Sequence, residues 1–330
     1  MQLDGNFWSH STEKWKDSVD RLDAMRVLLA VIDAGSLSAG GRRLGMPLAT
    51  VSRKVSELEA VLKTQLLVRT TRSLSLTDSG RTYVESCRRI LDQVQEAERA
   101  AAGEYSEPRG ELVVTAPVLF GRLQVLPVIG EFLQAFPHVS VRLALGDRVL
   151  DLMEDHVDLA VRIGALPDSS LVSARLGTVR RIICASPDYL KKNGAPRHID
   201  TIAEHACISF ESLTGSNVWK FRVNEAEVTV PIRPRLVVST AEAAVDAAVV
   251  GLGITSVLSY QAESAIQRGD LVLLLEEFEP EPIPVSFVYP NQGRLPLKLR
   301  ALLDFAAPRL RDRLQGVASV MSRASRGSAA

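Results

Sequence analysis

Apolar residues recur at helical spacing through the first hundred positions and in short β-rich runs beyond residue 110. Leu22, Met25, Leu29 and Ile32 step by three and four residues, which predicts a helix with one apolar face. Leu37 and Leu44 face inward on a shorter helix, with Ser36 placed after Gly35 as its N-cap. Val51, Val55, Leu58 and Leu62 mark a third helix with a single buried face. Pro47, after Gly45-Met46, suits a first helical turn and no helix interior, so residues 36–62 read as two short helices joined at a tight turn. Further on, Tyr83, Cys87, Ile90, Val94, Ala97 and Ala101 recur as a heptad seam within 78–102, which holds no proline and one glycine. Arg81, Arg88, Arg89, Asp92, Glu96 and Glu98 flank the seam, and a lone helix with such a stripe needs a partner.

The polar residues of the helix pair show what it could touch. Ala49, Thr50, Ser52, Arg53 and Lys54 lie off the buried face near the N-terminus of the second helix, the part that reaches base edges when such a helix enters the major groove. Arg42 and Arg43 on the preceding helix are placed to meet the phosphate backbone, and Ser36 at its start is counted among the DNA-contacting candidates. Residues 65–77 are rich in β-branched and hydroxyl side chains and carry Arg69, Thr71 and Arg72, which suits a short hairpin with a basic tip. With the helix around Met25 as a cover, the unit reads as a winged helix-turn-helix; an ordinary amphipathic helical hairpin is the alternative. Net charge sharpens this reading. The whole chain is neutral, with 39 basic and 39 acidic residues, but residues 36–81 hold eight basic and three acidic ones. That local excess is the footprint of a phosphate-contacting surface.

Gly103 to Gly110 reads as a hinge, and the pattern then changes to alternating strands and helices. Strands are expected at 111–116, 139–145, 157–163, 181–185, 206–210, 236–239, 254–256 and 285–289, and helices at 123–136, 147–154, 187–192, 241–250 and 296–310. Such β-α-β repetition implies parallel sheets with helices on their faces. In open α/β sheets ligands sit beyond the carboxyl ends of the strands. The candidates there are Thr115, Ala116, Pro117 and Val118, then Arg162, Ile163 and Gly164, then Ser209 and Phe210, and Ser239-Thr240. Arg162 is placed either to pair with an effector carboxylate or to serve as a structural hinge residue.

The chain resembles the LysR-type transcriptional regulators over roughly residues 20–310. The resemblance rests on Arg21-Leu22-Asp23-Ala24-Met25, Gly35-Ser36-Leu37-Ser38-Ala39, Val51-Ser52-Arg53, Arg69-Thr70-Thr71-Arg72 and Leu76-Thr77-Asp78-Ser79-Gly80. Gly40-Gly41 departs from the alanines usual there, and Leu67 from a common phenylalanine; two helical glycines cost roughly 1 kcal/mol each, so a close helix approach or a soft second helix is expected. The resemblance implies an α/β chain with an N-terminal all-α winged helix-turn-helix (19–77), a dimerisation linker helix (78–102), a hinge (103–110) and a two-lobed effector-binding domain (111–313). That domain is similar to type II periplasmic binding proteins. Lobe I would take 111–180 and 284–313, lobe II 181–283, with two crossovers between. The implied partners are double-stranded operator DNA, a small-molecule effector of anionic character, a second copy of the chain in a homodimer or homotetramer and, for an activator, RNA polymerase.

Other chemistry finds little support. Gly251-Leu252-Gly253 ends a helix rather than opening one, with Ser256 where a third glycine would be needed, so it is no dinucleotide fingerprint. There is no Walker loop, G-x-S-x-G or H-E-x-x-H, so no catalysis, metal or cofactor is expected, and the alternative is a solute-binding or enzymatic α/β protein with an incidental helical N-terminus. Cys87, Cys184 and Cys207 are well separated and read as inert thiols, and His198, His205 and Cys207 lack ligand-like spacing. No stretch approaches eighteen apolar residues, and MQLDGNFWSHSTEKWKDSVD lacks a secretory h-region, so a cytoplasmic protein without a membrane partner is expected. Residues 1–18 are expected either to precede a natural start at Val19 or to form a loose N-terminal extension, and residues 314–330 to be a disordered tail.

Overall fold

The computed structural model describes residues 20–69, 74–101, 107–148, 152, 155–166, 170–210, 218–291 and 295–328, so the expected extension at 1–18 lies outside them. The chain divides into two compact units, residues 1–106 and 107–330. Unit one contains α1 (Arg21–Asp33), α2 (Leu37–Leu44), α3 (Leu48–Leu62), the strands β1 (Leu67–Arg69) and β2 (Leu74–Leu76), and α4 (Asp78–Ala101). Each turn has a local cause. Asp20 Oδ1 and Ser36 Oγ accept the N–H groups of Asp23 and Ala39, each at 3.1 Å, and so open α1 and α2. Gly45, left-handed at φ 66°, closes α2, and Thr77 Oγ1 accepts the Gly80 N–H at 2.9 Å to open α4.

The core of this unit differs from the predicted face of α1. Ala24, Val27, Leu28 and Val31 are buried with Met25, whereas Leu22 is 36% exposed and Leu29 and Ile32 only flank the core. The helix is covered by α2, α3 and α4 together, so its central line is the direction between them, not the line of its largest residues. On α3, Val51, Val55 and Leu58 are fully buried as expected.

Gly40 and Gly41 have a steric cause. A Cβ on Gly40 would lie 2.8 Å from Val31 Cα and from Val31 Cγ2, and one on Gly41 would lie 2.8 Å from the Met46 carbonyl oxygen. The close helix approach is therefore real: Gly40 permits α1 to touch the backbone of α2, and Gly41 leaves room for the Met46 carbonyl in the turn that follows. We predict that Gly40→Ala destabilises the protein by about 1–3 kcal/mol despite its better helix propensity, because the clash is with backbone; urea unfolding of unit one checks this.

The seam on α4 also has a correction. Cys87 is fully buried, with Val84 and Leu91, in the same chain's core and so is not open to a partner, and Tyr83 packs half-buried against that core. The first turns of the stripe are consumed at home because α4 lies against α1, where Arg88 also pairs with Asp33 at 2.5 Å. Farther along, Ile90 is 36% exposed, Val94 is half-buried and Ala97 is exposed.

Unit two holds two five-stranded mixed sheets. The first has the order β4 (Val139–Leu145), β3 (Gly110–Ala116), β5 (Leu159–Ile163), β14 (Ile283–Pro290), β6 (Leu171–Val179); the second β11 (Pro234–Val238), β8 (Cys207–Phe210), β12 (Ile254–Leu258), β7 (Arg181–Ala185), β13 (Val272–Leu274). Strands β3, β4 and β5 are parallel and β14 returns antiparallel between β5 and β6; in the second sheet β7 runs antiparallel to β12 and β13. The chain thus crosses from the first lobe to the second at 179–181 and returns by residue 283. Strands β6 and β13 and the hairpin β9 (Val218–Val223)–β10 (Ala226–Pro231) went unpredicted; Ser173, Arg175 and Gly177 interrupt the apolar pattern of β6.

The helices are α5 (Val118–Phe120), a π turn (Gly121–Val125), α6 (Leu126–Ala135), α7 (Pro187–Asn193), α8 (Ala241–Val249), α9 (Ser259–Arg268) and α10 (Leu297–Ser328). The helix expected at 147–154 is not seen among the described residues there, where Asp147 and Arg148 form a bend and Leu152 lies in a turn. Asp147 is committed instead to the neighbouring helix, its Oδ1 accepting the Val118 N–H at 3.1 Å.

Residues 314–328 are no disordered tail. Helix α10 continues through them, burying Leu314 and Val317 in the core of the first lobe and Val320 and Met321 in that of the second. Serines, alanines and glycines dilute the segment, but Leu310, Leu314, Val317 and Met321 keep steps of four, three and four. Met321→Ala should therefore cost about 2–5 kcal/mol in thermal or urea unfolding, where a frayed tail would register nothing.

Candidate DNA interface and effector cleft

In the first unit Arg42 and Arg43, in the last turn of α2, are exposed, as are Ala49 and Arg53 on α3, with Thr50 and Ser52 half-buried. Arg53 Nη1 pairs with Glu57 at 2.8 Å, one helical turn on. Helix α3 opens at Pro47 with no side-chain cap, so its first turn is available to an anion. Two predicted contacts have prior commitments. Lys54 Nζ lies 2.5 Å from Asp23 Oδ2 and ties α3 to α1, and the Ser36 hydroxyl caps α2.

The strands β1 and β2 pair antiparallel from Leu67↔Leu76 to Arg69↔Leu74, as a wing requires; its tip, with Thr71 and Arg72, lies outside the described residues. Sequence reasoning missed what fastens the wing. Glu59 Oε1 accepts the N–H groups of Leu66 and Leu67 at 2.8 and 3.1 Å, and a Cβ on Gly80 would collide with the Leu66 carbonyl oxygen. A lone glutamate on an amphipathic helix gives no signal of this in sequence.

In the second unit the predicted ligand positions separate into two levels. Thr115 is 1% exposed and donates its hydroxyl to the Ala144 carbonyl at 2.9 Å, and Ala116 is fully buried. Both belong to the sheet and not to the ligand surface. The Val118 N–H is taken by Asp147, so this helix start is no open anion site, and the Thr240 hydroxyl accepts the Ala243 N–H at 3.2 Å to cap α8. Ser209 is 5% exposed, one residue below the carboxyl edge of β8. Pro117, Val118, Ile163, Gly164, Phe210, Ser239 and Thr240 retain exposure at the strand ends, and Phe210 packs against the cores of both lobes. Arg162 is half-buried on β5 opposite Ser286, and burial lowers its pKa.

Several residues that sequence reasoning overlooked bridge the lobes. Phe120 meets Tyr260, at the start of α9, edge to face with ring centroids 5.1 Å apart. Arg122 Nη2 in the π turn reaches Glu242 Oε1 on α8 at 2.9 Å. Burial pushes the Tyr260 phenol up to about 12, reinforced by nearby Asp147 and Glu242. At the crossover, the Arg180 guanidinium donates to Glu279 at 2.6 and 2.7 Å and to Glu276 at 2.9 Å. No sequence motif marks these pairs, because their partners are about a hundred positions apart. The three cysteines are buried, with burial raising their pKa to about 11 or 12, so no reactive thiol is formed there.

A winged helix-turn-helix joined to a two-lobed α/β unit defines a DNA-binding regulator with an effector domain. Residues 22–81 match the bacterial regulatory helix-turn-helix protein of the lysR family, and residues 106–311 match the LysR substrate binding domain. An HTH-type transcriptional regulator of Xanthomonas campestris is 35% identical over 86% of this chain and 84% of its own length, and one of Haemophilus influenzae is 32% identical over 86% and 99%. The solved structure of CrgA, a LysR-type transcriptional regulator from Neisseria meningitidis, aligns with 87% of this chain and 98% of its own at a TM-score of 0.57 and 31% identity. The chain belongs to the LysR-type transcriptional regulators, and it is a regulator of transcription, not an enzyme.

Proposed function

We propose that α3 reads operator DNA in the major groove while Arg42, Arg43 and the wing arginines Arg69 and Arg72 hold the phosphates, and that a small molecule in the cleft between the lobes shifts the geometry of paired heads. The exposed basic face of α2 and α3, beside a helix start with no side-chain cap, is the observation that carries this reading. Arg53 is the base-reading candidate, since it is exposed and an arginine can hold guanine by two hydrogen bonds. Lys54, paired with Asp23, serves chiefly to set the angle of α3. The protein acts in the cytoplasm, where its operator lies, and an activating output would involve RNA polymerase.

Binding to the duplex upstream of its own gene should fall steeply with salt, with a slope near −0.9 per phosphate neutralised in a plot of log affinity against log salt. Arg53→Ala should relax preference among operator variants by about 1–3 kcal/mol, whereas Arg72→Ala should weaken all duplexes alike. Fluorescence anisotropy at two salt concentrations separates the two; uniform losses in both would refute the division of roles.

Assembly should use the uncovered part of the α4 stripe. Ile90, beside the buried Leu91, and Val94 and Ala97 beyond it carry the apolar line on the side the chain's own core leaves uncovered, so they form the dimer seam in place of the buried Cys87. The double substitution Ile90→Asp and Val94→Asp should abolish dimers and operator binding together while leaving unit one folded. Analytical ultracentrifugation showing an unchanged dimer would contradict it.

A further inference from the structure

Consecutive arginines at the first crossover have opposite fates. Arg180 is saturated by Glu276 and Glu279. Arg181, the first residue of β7, is half-buried and has no hydrogen bond or ion pair from its guanidinium among the described residues. Burial depresses its pKa, and the group that acts on it electrostatically is Tyr260, not a carboxylate. A guanidinium removed from water without a counter-charge is costly, and a fold does not gain stability by placing it there.

Its position is on the ligand side of the sheet. Because β7 runs antiparallel to β12, Arg181 lies opposite Leu258, at the carboxyl end of β12, one step beyond Phe210 of β8. Two residues past Leu258 stands Tyr260, whose ring meets Phe120 of the other lobe. The Tyr260 hydroxyl accepts a hydrogen bond from Gln261 Nε2 at 3.2 Å, and its own proton has no acceptor among the described residues. Arg181 and Tyr260 are thus hydrogen-bond donors in want of an acceptor, at the strand end where Tyr260 meets Phe120 and Arg181 is paired with Leu258. A carboxylate, which accepts only and fits a guanidinium with two oxygens, satisfies both.

We propose that the effector is a small organic acid whose carboxylate is held by Arg181 and the Tyr260 hydroxyl at the hinge end of the cleft. This rests on the cleft being the effector site and assigns its ligand class and anchoring residue.

The test compares acids with their amides on the full-length protein, using acetate and acetamide, butyrate and butyramide, and phenylacetate and phenylacetamide, read by thermal shift and titration calorimetry. At least one acid should raise the melting temperature while its amide does not, with the rise growing as the apolar body grows. Arg181→Gln should lose that rise, with affinity at least about tenfold weaker, and Arg181→Lys should keep part of it. Without ligand, Arg181→Gln should melt at or above the wild-type temperature, because an uncompensated cation has been removed; a lower melting temperature would mark a structural arginine and overturn the proposal. Acids and amides acting alike, no acid acting on the wild type, or undiminished acid binding by Arg181→Gln would overturn it too. Duplex binding by ligand-free wild type and Arg181→Gln, measured in the same preparations, judges the regulator reading separately: if neither binds DNA, that reading fails whatever the acids do.

Discussion

The clasp around Arg180 is the constraint on which the effector half depends. Its guanidinium holds Glu279 by two oxygens and Glu276 by one, while its backbone carbonyl and N–H engage the Ser259 N–H and Oγ at 2.8 and 3.1 Å. Arg180 lies on the outgoing crossover, Glu276 and Glu279 lead into the returning one, and Ser259 opens α9, so one residue ties both crossings to a lobe II helix. With side chains 27% exposed for Arg180 and 10% for Glu279, the pair is shielded enough to hold geometry, unlike the exposed Arg122–Glu242 bridge farther along the cleft. Desolvation raises the Glu279 pKa and Arg180 draws it back, which is the signature of a carboxylate buried for its partner. The lobes are therefore tied firmly at the crossover end, and away from it they also meet through the solvent-accessible Arg122–Glu242 pair and the Phe120–Tyr260 ring contact. Lobe movement is expected to pivot at the clasp.

Helix α10 adds a second restraint on the same motion. One continuous helix places Leu302, Leu310 and Val317 in the core of lobe I and Val320 and Met321 in that of lobe II, and Ser325 reaches Glu276 of the clasp. A lobe rotation must bend this helix or shift one end of it within a packed core. Close packing resists small continuous displacement, so the pair of restraints favours a few discrete lobe arrangements over a graded series. A ligand can select among them only by the difference in its binding free energy, which gives a contact at the hinge end, where the lobes separate least, a role in anchoring.

Sequence read the DNA-binding head better than the effector half, for identifiable reasons. Val51, Val55 and Leu58, Ser36, Gly45 and Thr77 act within one or two helical turns, so local spacing exposes them. Gly40 is intermediate: its cost was visible, but its cause, the Val31 backbone 2.8 Å from a hypothetical Cβ, is tertiary. Arg180, Arg181, Glu279 and Tyr260 are invisible to periodicity because sheet order brings together positions about eighty to a hundred residues apart. The errors have the same origin. Thr115 and Ala116 were correctly placed at a strand end, yet whether a residue there faces ligand or sheet depends on the neighbouring strand, and Thr115 spends its hydroxyl on β4. The C-terminal segment was misjudged because composition was weighed above the spacing of its few apolar residues.

The apolar stripe of α4 is divided between residues packed in the head's own core and residues left uncovered. Val84, Cys87 and Leu91 are at most 8% exposed within the core of the head, and Arg88–Asp33 pins the same helix from outside. Rotation of α4 about its axis would pull these residues from a packed core, at a cost set by their buried area, while Ile90 on the other side of the helix is 36% exposed and Val94 only half-buried. The head and the first half of α4 must consequently move as one body. A displacement of the exposed half of the helix would then be delivered to α3, and under the proposed α4 pairing two heads would change their separation and not their internal structure. Spacing between half-sites, in place of the fold of either head, is then the quantity that an effector signal can alter.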